Sequence, residues 1–109
     1  MHTLFLLTES FTVHTIYAVE FEWDPAKARE NLRVHGVNFA VAAGVFEDGM
    51  AMTKEDPDAE GERRFITLGL DSLGRLLVAV FTCRGENLIR LISARKATRK
   101  EAKQYAQRI

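Results

Sequence analysis

Arg64-Phe65-Ile66-Thr67-Leu68-Gly69-Leu70, Arg75-Leu76-Leu77-Val78-Ala79-Val80-Phe81-Thr82-Cys83 and Leu88-Ile89-Arg90-Leu91-Ile92-Ser93-Ala94 decide the fold. These apolar runs are rich in β-branched and aromatic residues, which suit a pleated, half-buried surface. Between them lie Asp71-Ser72-Leu73-Gly74 and Arg84-Gly85-Glu86-Asn87, each with the glycine and polar residues of a turn. The pattern predicts strands over 64–70, 75–83 and 88–94 joined as an antiparallel meander. The middle run is apolar enough for a central strand, and Cys83 within it reads as a buried small side chain.

Downstream, Thr98-Arg99-Lys100-Glu101 has the form of a capping box, in which each end of the motif satisfies the other's free amide. It predicts a last helix that buries Ala102, Tyr105, Ala106 and Ile109 and turns Arg99, Lys100, Lys103 and Arg108 towards solvent or a partner. Upstream, Met50–Thr53 reads as a short strand, and the acidic loop Glu55–Glu62 is broken by Pro57 and Gly61. Asp24-Pro25 opens a helix that runs to His35 and stops at Gly36. Asn38 caps a second helix, with Phe39, Ala42, Ala43 and Phe46 on one stripe. Glu20–Trp23 alternates as a strand. The resulting order, β-α-α-β-β-β-β-α, defines a single α+β domain in which two N-terminal helices and one C-terminal helix cover one face of a twisted antiparallel sheet. Residues 1–19 have two readings. Phe11, Val13, Thr15, Tyr17 and Val19 alternate as an added edge strand would, or translation begins near Val19.

The 109 residues allow one core, with 47% apolar and 28% charged side chains in the ordinary globular range. Net charge is zero, yet residues 1–83 hold 7 basic and 13 acidic side chains whereas residues 84–109 hold 8 and 2. That polarity fits either a polyanion-binding end or a solvated basic helix. Cys83 stands alone, and His2, His14 and His35 lack metal-ligand spacing, so neither a disulfide nor a metal cofactor is expected. Leu4–Leu7 is too short for a membrane span and has no cationic residue ahead of it, which points to a cytoplasmic protein.

Spacing alone yields no phosphate-binding glycine loop and no nucleophile elbow. Cleaving RNA without a metal needs a base for the 2′-hydroxyl, an acid for the leaving oxygen and cations at the phosphorane. His35, Glu62 and Tyr105 are of the right type for proton transfer, and Arg64, Arg90, Arg95 and Lys96 for holding phosphate. Each has a structural alternative. His35 also suits a helix C-terminus, Glu62 also closes a solvated loop, Trp23 and Tyr105 read as core side chains, and Glu101 reads as a cap. By strand alternation Arg90 shares a face with Leu88, Ile92 and Ala94, so it meets Arg95 only if the strand bends near Ser93.

Phe21-Glu22-Trp23-Asp24-Pro25-Ala26-Lys27, Asn31-Leu32 and His35-Gly36-Val37 resemble the opening of BrnT-type toxins. Glu62-Arg63-Arg64-Phe65-Ile66 with Gly69 is similar to their central strand, and Arg90–Ala97 running on to Glu101 and Tyr105 to their C-terminal signature. Ala40 stands where the family often has a glutamate. The resemblance implies a RelE-like domain over 20–109, with 1–19 an extension outside the pattern. It also implies a cofactor-free ribonuclease toxin of a type II toxin–antitoxin system. Its partners would be RNA and a BrnA-like ribbon-helix-helix antitoxin, with promoter DNA reached only through that antitoxin and no membrane involved. On this reading His35, Glu62, Arg64 and Arg90 are catalytic, and Arg95, Lys96, Arg99, Lys100 and Lys103 bind RNA. Two other readings are a catalytically inactive homologue that acts as an antitoxin-binding co-repressor, and a plain RNA-binding domain.

Overall fold

In the computed structural model, which describes residues 2–5 and 17–108, the meander forms as β4 (Phe65–Leu70), β5 (Leu76–Cys83) and β6 (Leu88–Lys96), with each neighbouring pair antiparallel. Asp71 sets the first turn: its buried carboxylate accepts the backbone N–H groups of Leu73 and Arg75, both at 2.8 Å. β3 (Met52–Glu55) lines the outer side of β4, two residues beyond the expected start. β2 (Tyr17–Glu22) lies beside β6, and β1 (His2–Phe5) pairs with β2 at the far edge. The sheet order is β1-β2-β6-β5-β4-β3. The segment 6–16 that includes Phe11, Val13 and Thr15 lies outside the described residues.

The sheet is mixed, not wholly antiparallel, because β2 runs parallel to β6. No hairpin joins these two strands. The chain leaves β2 through two helices and returns only after the whole meander, a long connection that permits parallel pairing.

α1 (Pro25–His35) starts where the Asp24 carboxylate accepts the Ala26 N–H at 2.8 Å. It ends at Gly36, whose φ of 69° is the left-handed cap that a side chain would strain. α2 (Phe39–Ala42) is capped by Asn38 and tightens into a 3₁₀ turn over Ala43–Glu47. Of the predicted stripe Phe39, Ala42 and Ala43 are buried and Phe46 is half-buried, and the tighter winding also turns Val45 inward. Together with Val37 these residues pack on Leu77, Ala79, Phe81, Leu91 and Ala94, and Trp23 meets Phe39 edge-on at 5.9 Å. Gly69 lets the segment after the 3₁₀ turn lie close on β4: a Cβ there would stand 3.0 Å from that of Ala51 and 3.3 Å from Asp48 Oδ2.

α3 (Arg99–Arg108) does not join those helices. Tyr105 packs on Leu68 and Val78, residues of the opposite sheet face, and its hydroxyl donates to Asp48 at 2.7 Å. The expectation that all three helices cover one face is thus corrected: an amphipathic stripe sets which side of α3 is buried, not which sheet face receives it. Tyr105 is the one buried residue of this helix among those described, and Ala102 and Ala106 stay exposed. Cys83 is exposed too, since it ends β5 beyond the packed core.

Asn31 replaces a missing strand. Past Glu22, β2 turns away and leaves the edge of β6 open. The buried Asn31 amide donates to the Ala94 carbonyl at 2.8 Å, and its oxygen accepts the Ala94 N–H at 3.1 Å. It also donates to the Val37 carbonyl at 3.0 Å, so one side chain joins α1, the turn after it and β6.

Candidate active site

Ladder register assigns each strand residue to a face. Opposite Val80 stands Ser93, but opposite Phe81 stands Leu91, so Ile92 is an extra residue in β6. This bulge reverses the alternation. Leu91 and Ala94 both fall on the helix-packed face, while Arg90 (opposite Thr82), Ser93 (opposite Val80) and Arg95 (opposite Val78) share the other. Regular alternation had separated Arg90 from Arg95, and the bend required near Ser93 is this bulge.

The open face carries a row of polar side chains across four strands. Phe65 pairs with Phe81, so Arg64, one residue before β4, falls opposite Thr82. Thr82 pairs with Arg90 and Arg90 with Glu22. Arg90 Nη1 donates to Glu22 Oε2 at 2.8 Å, with about a third of each side chain exposed, at 32% and 35%. No ion pair involves Arg64 among the described residues. Thr82 Oγ1 is the only buried side-chain polar atom among them without a hydrogen-bond partner.

Below this row lies a cavity of about 300 Å³ lined by His35, Lys54, Ile66, Val78, Val80, Ser93, Arg95 and Glu101. His35 is exposed at the end of α1 and reaches the cavity round the edge of β6 that β2 leaves uncovered. Arg95 is clamped: its Nη1 and Nη2 donate to the two Glu101 oxygens at 2.8 and 2.9 Å. The same carboxylate accepts the Thr98 N–H at 2.8 Å while Thr98 Oγ1 accepts the Glu101 N–H at 3.2 Å, completing the capping box. The Arg95 guanidinium is the main cause that holds the Glu101 carboxyl well below its usual range, at about 2.

The remaining sequence candidates are spread around this face. Glu62 is exposed in the loop before Arg64 and pairs with Arg84 at 3.0 Å. Lys96 stands opposite Leu77, in register with the core face, and is exposed at the strand end. Arg99, Lys100 and Lys103 are exposed on α3. Tyr105 is buried beside Asp48, away from the arginine row. Lys54, Ser93, Thr82 and Glu22 also lie on this face, although the sequence did not single them out. Lys54 borders the acidic loop in sequence but belongs to β3, opposite Ile66, and the other three are unremarkable strand residues until the register is known.

These features define the class: a small α+β domain whose mixed sheet packs α1 and α2 on one face and carries α3 beside a row of arginines on the other. The chain belongs to the family described as "Ribonuclease toxin, BrnT, of type II toxin-antitoxin system", whose model matches residues 23–101. Membership of a type II system implies an antitoxin partner. The fold is similar to the 1.1 Å crystal structure of the Brucella abortus ribonuclease toxin, BrnT. The TM-score is 0.57 with 23% identity, covering 74% of this chain and 99% of that one. No curated protein matches the chain. No helix among the described residues is long and apolar enough to cross a membrane.

Proposed function

We propose that this protein is a metal-independent endoribonuclease toxin that cleaves RNA in the cytoplasm and inhibits translation until a BrnA-like ribbon-helix-helix antitoxin neutralises it. The observation that carries the reading is the Ile92 bulge, which gathers Arg90, Ser93 and Arg95 on the sheet face that Arg64 and His35 also reach. Fixed guanidinium groups suit the charge that develops on phosphorus as the 2′-oxygen attacks, because they need no reorganisation at that moment. Arg64 and Arg90 are the cations for that task. His35, at the open edge, is the acid for the leaving 5′-oxygen. The exposed Arg99, Lys100 and Lys103 steer the RNA backbone without touching the scissile bond. Promoter DNA is contacted through the antitoxin.

The test is inducible expression of the chain with and without the neighbouring reading frame, paired with single-turnover cleavage of one RNA in the presence of chelator. Growth arrest relieved by the neighbour, with cleavage that survives chelation, is the expected result. A chain that binds its neighbour's product tightly yet leaves RNA intact is instead a co-repressor module.

A further inference from the structure

If the arginine face cleaves RNA as proposed above, a base for the 2′-hydroxyl has to sit beside the phosphate-holding cations, and a carboxylate oxygen that no other donor engages is the most basic there. Three acids pair with arginines around this face: Glu22, Glu62 and Glu101. Glu101 has both oxygens committed to Arg95 and one also to the Thr98 N–H. Glu62 likewise meets Arg84 through both oxygens, at 3.3 and 3.0 Å. Glu22 differs. Only its Oε2 is engaged, by Arg90 Nη1, and Oε1 has no partner among the described residues. Arg90 in turn keeps Nε and Nη2 unpaired among those residues, two donors for a phosphate oxygen. Glu22 is also held on a strand in ladder register with Arg90, whereas Glu62 rides on a loop. In the same row Thr82, 1% exposed, lacks a partner for its hydroxyl.

We propose that Glu22 is the general base of RNA cleavage. Its Oε1 takes the proton of the 2′-hydroxyl while the 2′-oxygen forms a bond to phosphorus. The bond from phosphorus to the 5′-oxygen breaks, and that oxygen takes a proton from an acid. The products are a 2′,3′-cyclic phosphate and a 5′-hydroxyl, and the protein ends with the base protonated and the acid deprotonated. The charged group facing Glu22 from β6 is Arg90, with Arg64 at the far end of the row. On its own strand Glu20 lies one row away opposite Leu88, with His2 of β1 at its other register position.

The experiment is single-turnover cleavage of one RNA oligonucleotide by the full chain, from acid to neutral pH. Affinity for the 2′-deoxy form of the same oligonucleotide is measured alongside. Glu22→Gln keeps a carbonyl oxygen for Arg90 but removes the base. It is expected to slow cleavage by about a hundredfold or more, to lose the fall in rate on acidification, and to leave affinity unchanged. Glu22→Asp retains part of the rate together with the acid fall, and Glu20→Gln behaves as wild type. Wild-type cleavage by Glu22→Gln overturns the proposal. So does a joint loss of rate and affinity with the acid fall intact, which makes Glu22 only a holder of Arg90. If the wild type itself leaves RNA uncut, the nuclease reading fails first and the base with it.

Discussion

The two faces of this sheet are built from alternate residues of the same strands, yet they are held by different physics. On one, Leu77, Ala79, Phe81, Leu91 and Ala94 close against Val37, Phe39, Ala42 and Val45. On the other, β5 and β6 present Val80, Thr82, Arg90, Ser93 and Arg95, and α3 covers only the end where Tyr105 meets Leu68 and Val78. Its attachment there is largely polar, through Arg95 to Glu101 and Tyr105 to Asp48. The contrast teaches that stability and chemistry occupy opposite sides of one scaffold. The bulge at Ile92 serves both: it returns Ala94 to the core as it turns Arg95 to the open face.

The division is open to three tests here. The largest effect is expected on the packed side. Leu77 is fully buried, so Leu77→Ala removes apolar contacts and leaves a cavity at a cost of about 2–5 kcal/mol, read as a lower midpoint in denaturant unfolding. A cost near zero would mean the helices do not set stability. Next comes the open side. Arg64→Ala and Arg90→Ala should each lower single-turnover cleavage by about a hundredfold while the unfolding midpoint moves little. Folded variants that both cut at the wild-type rate would remove the site from this face. The smallest effect concerns α3. Glu101 has a carboxyl lowered from 4.5 to about 2, so the folded state favours its charged form. The stability this contributes is present above pH 4.5 and is lost as pH falls from there through about 2. Melting temperatures of wild type and Glu101→Gln should therefore differ at neutral pH and converge in acid. A constant gap would assign the difference to packing.

Much of the scaffold was legible because its signals are local. Asp24-Pro25, Gly36, Asn38 and the Thr98–Glu101 box act within a few residues, and the structure shows each in its expected place. The meander was equally plain in its alternation and turns. The site was less legible because it depends on register. Arg90 and Arg95 share a sheet face only through an extra residue, Ile92, that no glycine or proline marks. The parallel pairing that sets Glu22 beside Arg90 joins residues 68 apart in the chain. The side of the sheet chosen by α3 depends on Leu68, Val78 and Asp48, all far from Tyr105 in sequence.

Asn31 carries a further consequence. An exposed strand edge is a template on which another chain can add its own backbone, the first step towards self-association. Along the part of β6 that β2 abandons, the Asn31 amide already occupies both the N–H and the carbonyl of Ala94. A single side chain thus makes this border unavailable to a foreign strand, and an asparagine that reads in the sequence as one more polar residue of a helix opposes self-association. Replacing it with leucine would leave the arginines in place and yet open the edge, so that clumping of folded copies, rather than slower turnover, would be the first sign of its loss.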